Sequence, residues 1–227
     1  MLNPSLTELT TSATDAILAM ECLVMLVYLR RSPSGNFLRM GLWSWVFGLL
    51  AFASLLGTLA HGLVMPDSLK TALWKPLYLC LGLVVSLFLA GVFLDWQGRD
   101  TAKRILPWSI GMGVLFFGIT EVFNGAFLVF VVYEATVMVT ALIVYSFLGA
   151  TRRLKGAGIV ALAVFLNILA AGIQTSSVSW TLGGVPLDHN GVFHLVQMAG
   201  VAVLAMGLRR GFSVDAQKGE DFFKAHP

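Results

Sequence analysis

"HNGVFHLVQMAGVAVLAMGL", residues 189–208, is twenty residues long and contains no Asp, Glu, Lys or Arg. About 30 Å of hydrocarbon is crossed at 1.5 Å per residue, so about 20 mostly apolar residues make a span. Only a helix or a closed barrel satisfies its own backbone there. The stretch fits that measure, yet it opens on His189, Asn190 and His194, groups that are costly to place in lipid.

The same measure finds six more runs, roughly 12–29, 40–63, 73–94, 105–123, 126–149 and 157–174. The fourth and fifth are nearly continuous, and Asn124-Gly125 within "EVFNGAF" is the turn signal that divides them. The composition agrees: 57% of the 227 residues are apolar and 12% are charged, against about 25% charged in soluble domains. The expected fold is an all-α integral membrane bundle of seven transmembrane helices, a single domain over 1–211 with a polar tail over 212–227. No Lys or Arg precedes Arg30, so the first run is expected to stay as a span and not to be a cleaved signal. Cys22 and Cys80 lie in apolar runs without a spacing motif and read as packing residues.

Basic residues orient the bundle. With the N-terminus outside, the inner side holds Arg30, Arg31, Arg39, Arg99, Lys103, Arg104, Arg152, Arg153, Lys155, Arg209, Arg210, Lys218 and Lys224, and the outer side only Lys70 and Lys75. Thirteen against two predicts an outside N-terminus and a cytoplasmic C-terminus, in the inner membrane if the cell is bacterial. The tryptophans at 43, 45, 74, 96, 108 and 180 fall near span ends or in an outer loop and read as an interfacial belt. Gly48, Gly57, Gly111, Gly118 and Gly200 read as close helix contacts.

That orientation gathers the polar residues at one end. Span two runs outward to His61, and span seven starts at His189 with His194 just over one turn further in. Asn190, His194 and Gln197 share a face of span seven. Asn167 and Gln174 line span six, Glu134 lies two turns into span five, and Glu121 and Asn124 mark the turn before it. Glu21 sits near the middle of span one with Thr14 on the same face, and Thr58 lies beside His61. Asp188 reads as a helix N-cap, and His226 in the tail reads as inert. Intramembrane ionisable groups usually face the bundle interior and mark function.

Three histidines with an open water position form a catalytic zinc set, in which the metal brings its water to a pKa of about 7. His61, His189 and His194 are the candidate zinc ligands, with Glu21 and Glu134 as candidate proton shuttles. Thr58, Asn190, Gln197, Asn167 and Asp188 are candidates for contact with substrate or with the ligands. Positions 189 and 194 are about 140° apart on a regular helix. Both reach one ion only if the helix frays at His189; otherwise His189 is not a ligand.

One histidine at the end of span two, a histidine pair on span seven and an outside N-terminus resemble the alkaline ceramidase and CREST superfamily of membrane hydrolases. "HNGVFH" is similar to the family's seventh-helix motif. The resemblance implies zinc on His61, His189 and His194, and cleavage of a lipid amide. It also implies a helper Ser one turn before His61 and an Asp on helix three. The chain departs from that pattern: its histidines are five apart where the family's are four, with Asn190 in the first place. Gly57 stands four before His61, span three has no Asp in its outer half, and Asp95 lies at the inner end. The expectation is a divergent, ceramidase-like hydrolase acting on a membrane lipid amide or ester.

A receptor, channel or transporter that uses the same cluster for ligand or proton binding is the alternative. Haem held by His61 and His194 is a third reading. Span seven has no Lys for a retinal Schiff base. Nothing points to nucleic acid or to a protein partner. The orientation is checked with single cysteines in a Cys22→Ala, Cys80→Ala background. An impermeant maleimide should label Lys70→Cys in intact cells and Arg153→Cys only after permeabilisation; the opposite pattern would invert the bundle.

Overall fold

The computed structural model describes residues 1–32, 36–123 and 127–225, the side chains of 127, 128 and 213–225 aside. Asn124, Gly125 and His226 lie outside the described residues. Seven helices follow one another: α1 (Leu6–Arg30), α2 (Phe37–Gly62), α3 (Asp67–Gln97), α4 (Arg99–Val122), α5 (Phe127–Ala150), α6 (Ala157–Gln174) and α7 (His189–Ala225). Each contains a stretch long and apolar enough to cross a membrane.

Helices α1, α3 and α4 each begin six residues before the expected span. Hydropathy stops at the first polar turn, but a capped polar turn is still helical. Ser5 accepts from the Glu8 amide at the start of α1, and Asp67 and Asp100 stand in the first turns of α3 and α4. Between α6 and α7 lies a hairpin, β1 (Trp180–Leu182) and β2 (Val185–Leu187), where a plain loop was expected. Its turn is Gly183-Gly184, both at positive φ, the two-residue connection that suits strand twist. Helix α7 runs on through the expected tail as far as Ala225.

Contacts between helix ends show that successive helices alternate in direction. Glu8 near the start of α1 meets His61 near the end of α2, and Lys75 near the start of α3 meets Glu121 near the end of α4. We call the end where α1, α3, α5 and α7 begin the histidine end. Helix α1 packs on α2 and α7, α3 on α2 and α4, and α6 on α5 and α7.

The bundle carries its apolar surface outward. On α1 the inward face holds Thr11, Ser12, Thr14, Asp15, Leu18 and Cys22, and the outward face shows Ile17, Met20, Val24 and Val27. In lipid this is the favourable arrangement, because polar groups find partners only inside.

The end opposite the histidines is closed by a dry core. Trp43 is completely buried, edge-on to Phe88 at 5.1 Å, so it belongs to this core and not to an interfacial belt. Beside the core lies an ion pair. Arg39 Nε is 2.7 Å from Asp95 Oδ1, and both side chains are at most 3% exposed. Arg39 Nη2 and the Tyr145 hydroxyl donate to Asp95 Oδ2 at 3.1 and 2.9 Å, and the guanidinium lies over the Phe212 ring. Arg39, counted above among the basic residues of the inner side, is therefore buried within the bundle. Of the five glycines read as helix contacts, Gly57 and Gly200 meet a neighbour; Gly48, Gly111 and Gly118 have open space.

Breaking a buried pair strands one charge, whereas replacing both partners by apolar groups does not. Asp95→Leu or Arg39→Met alone should cost about 3–5 kcal/mol, and the double variant should recover most of it in denaturant titrations in micelles. Losses that simply add would show the two residues to be uncoupled.

Candidate functional site

The site is built on the first turns of α1, "TELTTSATD", residues 7–15. Glu8, Thr11 and Asp15 recur at helical spacing along one stripe, with Thr14 at its edge. Each reaches another helix or its cap. Glu8 Oε2 is 2.8 Å from His61 Nδ1, and the Thr11 hydroxyl donates to Asp188 Oδ1 at 3.0 Å. Thr14 Oγ1 is 2.9 Å from His194 Nδ1, and Asp15 Oδ1 is 3.4 Å from His194 Nε2.

The Thr14 hydroxyl has one hydrogen and two acceptors in reach, the Thr11 carbonyl and His194 Nδ1, both at 2.9 Å. A neutral His194 ring with its hydrogen on Nε2 takes the Thr14 hydrogen on Nδ1 and turns Nε2–H toward Asp15 Oδ1. Asp15, His194 and Thr14 are all buried.

Gly57 makes room for Asp15. A Cβ on Gly57 would stand 2.6 Å from Asp15 Oδ2, closer than any real contact. The residue one turn before His61 is thus a glycine because the α1 carboxylate occupies that space. His61 is held from three sides. Its carbonyl accepts from Asn3 Nδ2 at 3.0 Å, its ring is edge-on to Trp74, and Glu8 holds Nδ1. Residues 1–3 also pair with the chain just after His61, through Asn3 N to Gly62 O and Val64 N to Met1 O, both 2.9 Å.

Asp188 caps α7, accepting from the Gly191 amide at 2.9 Å while its carbonyl takes the Val192 amide at 3.0 Å. Helix α7 is regular from its first residue, so it does not fray to turn His189 toward His194. Among the described residues, no group of three or more His, Cys, Asp or Glu is placed to hold a metal ion. Both ring nitrogens of His194 and Nδ1 of His61 are engaged by α1. The three histidines do not form a three-ligand group in this arrangement.

They do share a cavity of about 400 Å³ among six helices. His61, His189, His194 and Asp15 form its polar end. Glu134, Asn167, Asn190 and Gln197, also singled out by sequence, lie on its wall with Gln174. Below them the lining becomes apolar, ending on Val46, Phe88, Met138 and Leu204. From His61 to Val46 along α2 is about 22 Å at 1.5 Å per residue, so the cavity is long and narrow.

Three candidates lie away from it. Glu21 is six residues from Asp15, about 120° off the stripe, and its Oε2 is buried without a hydrogen-bond partner. Glu21, expected as a proton shuttle, is not among the residues that line the cavity. The Thr58 hydroxyl donates back to Ser54 O, and its carbonyl takes the Ser12 hydroxyl, both within α1–α2 packing. Asp188 serves as the cap. Sequence reasoning passed over Glu8 and Asp15; two acids seven apart in a threonine-rich first helix were the available signal.

Residues 10–212 match the model of DUF6962, a family of unknown function. The chain belongs to that family. No curated protein and no solved structure matches it. The stretch matched to DUF6962 includes Asp15, Gly57, His61 and His194 and leaves Glu8 outside.

Gly57→Ala puts a methyl group where the Asp15 carboxylate lies and should cost about 1–3 kcal/mol, as overpacking does. In an Asp15→Ala background the same change should cost clearly less, read by thermal unfolding in detergent. Equal losses in both backgrounds would show that Asp15 is not seated on Gly57.

Proposed function

We propose that this chain is a multi-pass membrane protein, N-terminus outside, that takes a lipid-class amphiphile into its bundle. The observation that carries the reading is the long cavity, with the histidines at one end and Val46, Phe88, Met138 and Leu204 at the other. Its volume lies within the range of small-molecule sites, and a narrow apolar tube suits one alkyl chain better than two. The thirteen basic residues assigned to the inner side against two outside support the orientation. The polar head then lies toward the outer face and the chain toward the membrane midplane.

One further observation favours an enzymatic reading of the same site. The buried Asp15–His194 pair is of the kind that general acid–base cleavage of a lipid amide or ester uses. Water attacks the carbonyl carbon and gives its proton to Asp15, with His194 Nε2 behind it. The tetrahedral adduct collapses with rupture of the bond to nitrogen or oxygen, and the proton returns to that leaving atom. In ligand class this agrees with the resemblance to ceramidases and their superfamily. The residues that would act differ from that family's, because here the carboxylate comes from α1.

Leu50 lines the apolar half. Leu50→Trp should weaken binding of a long-chain amphiphile in nanodiscs by about ten-fold, equivalent to 1.4 kcal/mol. A short-chain compound with the same head should be little affected. Unchanged long-chain binding would place the ligand elsewhere. On the enzymatic reading, Asp15→Asn removes turnover of a lipid amide and leaves its uptake in place.

A further inference from the structure

The cavity's charges are one-sided. Among the described residues, two carboxyl groups, Asp15 and Glu134, stand on its wall, and no Lys or Arg does. The basic residue next along α3 from the lining residue Trp74, Lys75, is half exposed and bound to Glu121 at 2.6 Å. Asp15 is nine residues from the start of α1, and Glu134 is seven from the start of α5, helices that run the same way. Asp15 meets Gly57, eleven residues from the floor residue Val46, whereas Glu134 is four residues from the floor residue Met138, so Glu134 lies deeper in the cavity than Asp15. Among the described residues, Glu134 has no hydrogen-bonding side-chain partner, whereas Asp15 has His194. The Glu8 carboxylate behind His61 adds negative charge at the same end. Aromatic faces complete the polar half, from Trp74 and Tyr78 on α3 and Phe193 on α7.

We infer that the cavity selects an amphiphile with an amine head over one with a neutral or anionic head. The inference rests on the amphiphile-binding reading and specifies the ligand class. An ammonium group beside Asp15 or Glu134 gains charge-assisted hydrogen bonds and a cation–π surface. A carboxylate or phosphate there finds carboxyl groups and no Lys or Arg on the wall, which is costly out of water. A hydroxyl head satisfies one acceptor and leaves the other unpartnered.

The test uses the full chain in nanodiscs of zwitterionic phospholipid, with empty nanodiscs as the control for partitioning. Dodecylamine, dodecanol and dodecanoic acid, which share one chain, compete against a fluorescent single-chain amphiphile. The amine should bind about ten-fold or more tighter than the alcohol, a gap of 1.4 kcal/mol or more, and the acid should bind most weakly. Glu134→Gln and Asp15→Asn should each shrink the amine's advantage over the alcohol. Acid or alcohol binding as tight as amine binding would overturn the inference and leave the amphiphile reading standing. Failure of all three to compete would overturn both. The wild-type series decides the matter even if a variant does not fold.

Discussion

The meeting of Asp15, Gly57 and His194 is the constraint on which the rest of the histidine end depends. A carboxyl group buried inside a helical bundle needs hydrogen-bonding partners, and neighbouring helices must supply them. Gly57 lets α2 approach until the carboxylate fits, and His194 supplies the partner from α7. Three helices are thereby held in one register. Thr14 and Thr11 then follow at helical spacing, one bonding the other face of His194 and the other the cap of α7. Glu8, a further turn toward the N-terminus, holds His61 in the same way. The polar stripe of α1 thus serves as a row of partners for groups that α2 and α7 bring in.

The two ends of the bundle solve the same problem differently. At the histidine end the polar groups line a cavity. At the other end Arg39, Asp95 and Tyr145 satisfy one another in full burial, and Phe212 covers the guanidinium. Each of these four residues lies about two helical turns below a residue of the cavity floor: Val46, Phe88, Met138 or Leu204. The cavity is therefore closed at that end by a layer that joins four helices, and open character is confined to the end with the histidines.

Much of the architecture was legible. Seven apolar runs predicted seven helices in the right order, because the length rule acts locally and needs no knowledge of neighbours. The grouping of His61, His189 and His194 at one end followed from alternating direction alone. The choice of carboxylate was not legible in the same way. Glu21 lies deep in an apolar run and looked the more conspicuous acid, whereas Glu8 fell before the first counted span. Which face of α1 turns inward depends on α2 and α7, and that face carries Asp15. Trp43 misled for the same reason: a tryptophan near a span end can lie in the interface or in the core, and only packing against Phe88 distinguishes them.

The sequence by itself determined the number of helices, their order, the expected orientation and the end of the bundle where polar groups collect. These follow from hydrophobic length, charge placement and alternation, all of which are sums along the chain. Only the tertiary structure decided that His61 and His194 are held by side chains of α1. It also gave the reason that Gly57 stands where the resemblance implies a helper serine: the Asp15 carboxylate occupies that space. Hydrogen bonds and close packing depend on the rotation of each helix about its own axis. That rotation is set jointly by all neighbours, and no single run of sequence contains it.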